Sequence, residues 1–388
     1  MGSNGNINPF RYGAIARGEF FANRRAELKQ LVADVRGGQD VVIISPRRLG
    51  KTSLVERAIE ELRGEGALVA YLDLLGSPSK EQLADNLAQA LNDGLLSPLE
   101  RTIERVREFF SHLTLAPRLT VSDDAKPVVQ FLGYEREEDA DKLLEGLLAL
   151  PAELGEDRLV VVVLDEFQEI VTIDEDLPGK IRAIFQRQPE VSHVYLGSKR
   201  HLMEPLFMNA SAPLYRAAKP MPVGPIAPHQ FSGFLRERFR AGGVDVSDEA
   251  LECILSLTEG KPYETQELCS FTWTQARLRS TGADVEAVEL ALDDLLRAES
   301  ARYTAVWERL STGQRMLLLA LSRQSGRVYS EGYRRRHKLD SAASVQTALE
   351  SLGRLDLIER PDSGGYALAD VFMCRWLRQF DHRSGPRS

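Results

Sequence analysis

"VVIISPRRLGKTSL", residues Val41 to Leu54, decides the fold. Its β-branched opening reads as a buried strand, Pro46 bounds it, and the helical pattern "KTSLVERAIEELR" follows at once. Gly50, Lys51 and Thr52 complete the phosphate-loop pattern G-x-x-x-x-G-K-[ST], with Ser45 standing where the first glycine belongs. The tripeptide alone arises by chance in roughly one or two of ten chains of this length. Its position between strand and helix gives it meaning, because loop N–H groups and the positive helix end there converge on a triphosphate. The expected cradle is Ser45, Pro46, Arg47, Arg48, Leu49, Gly50, Lys51, Thr52 and Ser53. Lys51 would reach the β- and γ-phosphates of ATP, and the Thr52 hydroxyl would hold Mg2+. A small residue serves at the Ser45 corner, where Pro46 already fixes φ.

Downstream the pattern alternates. "LVAYLDL" (Leu68 to Leu74) reads as a second strand, then "SKEQLADNLAQALNDG" as a helix with Ser79 as cap and Gly94 as stop. Residues 97–155 read as an insertion: a helix "PLERTIERVREFFSHL", a hairpin "RLTVSDDAKPVVQFL" and a helix "REEDADKLLEGLLAL". The alternation resumes with "RLVVVVLDEFQEI", the helix "IRAIFQRQ", the strand "HVYLGS" and a fifth strand "MPVGPI" (Met221 to Ile226). This grammar predicts an α/β, three-layer domain around a parallel five-stranded sheet. Ligands of such sheets bind at the carboxyl ends of the strands, where Asp165 and Glu166 end a run of four valines. Asp165 suits Mg2+, and Glu166 suits the residue that orients or deprotonates the attacking water; an acid there also serves simply to cap the next helix. Ser198 could sense the γ-phosphate from between the motif strands and Arg200 could stabilise transition-state charge, or the basic trio Lys199, Arg200 and His201 is simply solvated at the surface.

After Pro228 the signal is helical, with Gly243 and Gly260 where C-terminal caps belong. Within it Lys261 and Pro262 start a helix that can face the nucleotide. From about Ala305 three helices precede "DLIERPDSGGYALAD", two strands about a Ser-Gly-Gly turn, which describes a winged helix-turn-helix. The expected division is a core at 1–226, a helical lid at 227–303 and a winged helix at 304–388.

Composition agrees with a globular chain: 388 residues with 43% hydrophobic content exceed one compact core. No run approaches the roughly 18 apolar residues of a membrane span, and the start lacks a secretory layout, so no membrane association and a cytoplasmic location are expected. Cys253, Cys269 and Cys374 are too few and too scattered for a disulfide or zinc framework. Net charge is −8, yet Thr304 to Ser388 carries 14 Arg and Lys against 9 Asp and Glu. A mildly basic end on an acidic body permits a polyanion partner.

"SPRRLGKTSL", "LDEFQ", "YLGSKRHLMEPLF", "PLYRAA" and "GKPYETQELC", in this order, resemble the AAA+-like P-loop ATPases of the STAND type, close to the archaeal ATPase group. The resemblance spans about Phe20 to the end and includes the winged helix. It implies ATP hydrolysis with Mg2+, a place beside the adenine for "FFANRRAELKQL" (Phe20 to Leu31), and a lid helix start that contacts phosphates. Many relatives begin the loop Ser-Pro-Arg-Arg, so Ser45 is ordinary among them; where Lys261 stands, Arg, His or Asn is as usual. Three roles follow: a slow, nucleotide-driven switch read by a protein partner, a DNA-binding ATPase resembling archaeal origin-recognition initiators, or an adaptor with little turnover. The intact Glu166 disfavours the adaptor. The third helix of the winged domain offers only Gln346 and Arg354 against Glu350, and the wing "ERPDSGG" is neutral to acidic, which favours protein contact or intramolecular docking over DNA. An arginine finger from Arg182, Arg187, Arg200 or Arg216 would require an oligomer.

Overall fold

In a computed structural model of the protein, the described residues are 7–22, 24–96, 107–113, 115, 117–121, 127–131, 137–154, 158–361 and 364–383. The chain divides into two compact units, Arg24–Gly224 and a second made of Met1–Asn23 with Pro225–Ser388.

The first unit opens with α1 (Arg25–Arg36), β1 (Val41–Ile44), α2 (Lys51–Gly64), β2 (Leu68–Asp73) and α3 (Lys80–Leu95). A hairpin of β3 (Pro117–Val121) and β4 (Pro127–Phe131) and α4 (Glu137–Ala149) come next, followed by β5 (Val160–Asp165), α5 (Leu177–Phe185), β6 (Val191–Gly197), α6 (Arg200–Phe207) and β7 (Lys219–Pro220). Among the described residues the main sheet is five-stranded, in the order β2-β5-β6-β1-β7, and its pairings are all parallel. Both faces are covered, so β5 and β6 are buried along their whole length, which is why they read as unbroken apolar runs.

The insertion is packed. Asp85 and Gln89 of α3 accept the backbone N–H groups of Phe131 and Val129 at 2.9 and 3.0 Å, and Phe110 and Phe131 join the apolar core. Of the helix expected at 98–113, residues up to 106 fall outside the described residues and 107–109 are helical.

Two expectations change. Gly94 does not stop α3, which runs through Leu95; a Cβ there would lie 2.3 Å from the Val69 carbonyl oxygen. The glycine serves close packing of helix on strand. The fifth strand is Lys219–Pro220 instead of Met221–Ile226: it pairs at the sheet edge with Val41 and Val42, and the Met221 N–H still reaches the Val42 carbonyl at 2.9 Å. Pro222, Gly224 and Pro225 deny the following stretch a ladder, and Pro220 is tolerated only because the strand is at the edge.

In the second unit, α7 (Pro228–Ala241), α8 (Asp248–Thr258), α9 (Pro262–Arg279) and α10 (Val285–Glu308) are followed by α11 (Thr312–Arg323), α12 (Glu331–Arg336) and α13 (Ala342–Arg354). β8 (Ile358–Glu359) and β9 (Ala367–Leu368) pair antiparallel, and α14 (Val371–Arg383) follows. The wing turn falls partly outside the described residues. α14 lies beyond the helices and wing expected from the sequence, although Val371, Phe372, Trp376 and Leu377 give it an apolar face buried in the core. The N-terminal residues belong to this unit: Phe10 packs on Phe239 with ring centroids 4.6 Å apart, and the Arg238 guanidinium donates to the Pro9 carbonyl at 2.8 Å.

Candidate functional site

The phosphate-loop residues leave β1 at its carboxyl end. Ser45 is buried; its N–H donates to the Gly197 carbonyl at 3.2 Å and its hydroxyl to the Val223 carbonyl at 2.7 Å. A glycine could not make the second bond, which explains the residue found at this corner. Arg48 and Gly50 adopt left-handed backbone, with φ of 69° and 81°, on either side of buried Leu49. Gly50 caps α2, so Lys51, Thr52 and Ser53 form its first turn, and Lys51 is buried. The non-glycine Arg48 stores strain where the chain must turn. Pro46 is half-buried, and Arg47 is exposed beside it.

Beneath the loop lies a residue that the motif does not contain. Arg24 is buried and donates to the carbonyls of Leu49 at 2.7 Å and Gly224 at 2.6 Å, while pairing with Glu27 at 3.0 Å. Burial lowers its pKa, against the opposing effect of Glu27.

Asp165 ends β5 and is buried. Its Oδ1 accepts the Glu166 N–H at 2.8 Å. Its Oδ2 accepts the Thr52 hydroxyl at 3.2 Å and the Tyr71 hydroxyl at 2.5 Å. Burial and the Asp165 charge push the Tyr71 phenol well up, so the hydroxyl stays a donor.

Glu166 also takes left-handed backbone, with φ of 50°. Its Oε2 accepts the Ser198 hydroxyl at 2.6 Å and the Gln168 amide at 2.5 Å. Burial raises the pKa of Glu166, but the two hydrogen bonds and the charges of Lys51 and Arg47 outweigh it, and the carboxyl sits below its ordinary value. Ser198 occupies the end of β6, between β1 and β5. The structure therefore brings Thr52 to Asp165 and Ser198 to Glu166 across residues far apart in the chain.

Other candidates are engaged by partners of their own. Arg200 is half exposed and pairs one turn on with Glu204 at 2.6 Å. Lys261 and Pro262 belong to the second unit, where the buried Lys261 ammonium donates to Glu359 and to the Ala369 carbonyl, each at 2.8 Å. Motif reading assigns no role to Arg24, Tyr71 or Gln168, although Arg24 lies in "FFANRRAELKQL" and Gln168 in "LDEFQ". Their signals were an arginine just before an amphipathic helix, a lone aromatic inside a buried strand, and an amide two residues past a carboxylate.

A comparison with curated proteins finds no match. Among solved structures, a Walker-type ATPase of Pyrococcus abyssi superposes with a TM-score of 0.66 at 19% identity, over 95% of this chain and 99% of that one. The Aeropyrum pernix ORC2 protein, in ADPNP–ADP complexes, superposes with a TM-score of 0.57 at 15% identity, over 97% of each chain. At such identities the likeness is one of fold. Residues 301–379 match a probable winged helix domain, and residues 21–268 match the ATPase domain found predominantly in Archaea. With the loop of Ser45 to Ser53 and the carboxylates of β5 inside that second match, the chain belongs to this archaeal-type family of ATPase domains, built on an AAA+-like P-loop fold.

Proposed function

We propose that this protein binds ATP with Mg2+ and hydrolyses it slowly, as a switch whose nucleotide state governs what the winged helix at 304–388 presents to a protein partner. The observation that carries it is the 3.2 Å bond from the Thr52 hydroxyl to Asp165, which joins the loop to the strand-end carboxylate. Thr52 and Asp165 suit Mg2+, an ion that keeps waters and takes phosphate oxygens. When bound, Mg2+ neutralises charge on the β- and γ-phosphates.

The chain's own residues do the rest. Loop N–H groups and Lys51 bind the phosphates, with Arg24 fixing the loop's path from beneath. Glu166, kept ionised, accepts a hydrogen bond from the attacking water and takes its proton as the bond from ADP to the γ-phosphorus breaks. Ser198 and Gln168 hold that carboxylate in place. Arg200, Lys261 and Pro262 carry weaker assignments, since the two cations are paired elsewhere.

Glu166→Gln is expected to retain ATP binding and lose at least about a hundredfold in turnover, while Lys51→Ala loses binding. Turnover persisting in E166Q removes the base assignment; unchanged affinity in K51A removes the cradle.

A DNA-binding role is the second reading. Exposed Arg335 and Arg336 on α12 favour it. Against it, the exposed residues of α13 include Ala342, Ala343, Ser344 and Thr347, and the Gln346 amide is engaged by Glu350 at 3.0 Å. Duplex binding that falls steeply with salt decides for DNA, and no binding at low salt decides against it.

A further inference from the structure

β2 and β5 pair with Asp73 opposite Asp165, so Tyr71, two residues before Asp73, emerges on the same sheet face as Asp165. The phenol spans that offset and places its hydroxyl on Oδ2. Asp165 is then held by three donors: the Glu166 N–H on Oδ1, and the Thr52 and Tyr71 hydroxyls on Oδ2. An ionised carboxylate oxygen accepts through two lone pairs, so Oδ2 is filled. The carboxylate cannot rotate without stranding a donor.

This matters for Thr52. A hydroxyl has one proton and two lone pairs. With the proton committed to Asp165, the lone pairs of Thr52 Oγ1 are left to face a cation. Anything that pins Asp165 thereby orients Thr52.

We infer that Tyr71 is a positioning residue of the Mg2+–nucleotide site, acting through Asp165 to orient the Thr52 hydroxyl. The inference rests on the proposed ATP reading and adds to it a residue outside both motifs. Hydrogen-bond partners of metal-site residues are commonly worth 10- to 100-fold in metal affinity, and Tyr71 is assigned that role.

The test uses the full chain and a fluorescent, non-hydrolysable ATP analogue, with binding followed in EDTA and as Mg2+ is added. Tyr71→Phe is expected to leave the EDTA affinity within about twofold of the parent and to raise the half-saturating Mg2+ by about tenfold. On an Asp165→Ala background, which has no acceptor for the phenol, the same change is expected to add nothing. An unmoved or lowered Mg2+ midpoint in Y71F, or a full shift that persists on D165A, overturns the role of Tyr71 while leaving nucleotide binding intact. A parent chain that binds no analogue under either condition overturns the ATP reading and the inference together. Should Y71F lose its fold, 3-fluorotyrosine placed at Tyr71 replaces it. Its fluorine resonance in the analogue complex is expected to shift on Mg2+ addition, and indifference to Mg2+ overturns the inference.

Discussion

Glu166 shows what a single side chain at this site has to balance. Burial favours its neutral form, while Ser198, Gln168, Lys51 and Arg47 favour the ionised one and prevail. A carboxylate whose folded pKa is lowered contributes stability above the ordinary carboxylate value of about 4.3 and loses it as pH falls through the folded value. Turnover is therefore expected to be flat through neutral pH and to fall only in acid. Ser198→Ala removes one of the bonds that lower the pKa, so the acid limb of the pH–rate profile is expected to move to higher pH. A limb that stays in place shows that Ser198 does not set the ionisation of Glu166. Gly50, Lys51, Thr52, Asp165 and Glu166 were legible because their chemistry is written at fixed spacing. Tyr71 and Arg24 were not, because each acts through a partner that only strand register or loop path brings within reach.

Elements were legible where one physical demand governs them. β5 and β6 are covered on both faces and read as apolar runs, and α9 begins at Pro262, where its missing N–H costs nothing. Two demands at one residue misled. Gly94 resembles a helix stop by type, yet it lies inside α3 because the helix presses on the β2 backbone. Gly94→Ala is accordingly expected to destabilise the first unit by about 1–3 kcal/mol in urea titration, against the gain a surface helix shows for this change. A neutral or stabilising result means that α3 can move away from Val69 at little cost. The edge strand was displaced because its pairing ends where Pro222 and Pro225 interrupt the ladder.

At the scale of the whole chain, the helical segment and the winged helix share one unit and one continuous apolar core. Polar ties accompany that core: Lys261 to Glu359 and the Ala369 carbonyl, Tyr303 to Asp370 at 3.3 Å, and Trp376 to Ser300 at 3.2 Å. Lys261→Ala leaves Glu359 and a carbonyl short of a donor, and is expected to cost about 2 kcal/mol. Calorimetry is expected to resolve separate transitions for the two units, with only that of the second lowered in K261A. An equal fall in both ties the units into one cooperative whole. Helix α10 gives this arrangement a mechanical meaning. It runs unbroken for 24 residues, about 36 Å, from the helical segment into the winged helix. With no joint along its length, and with both segments packed in one apolar core, it acts as a strut that keeps the helical segment and the winged helix at a fixed spacing, so the two move as a single piece.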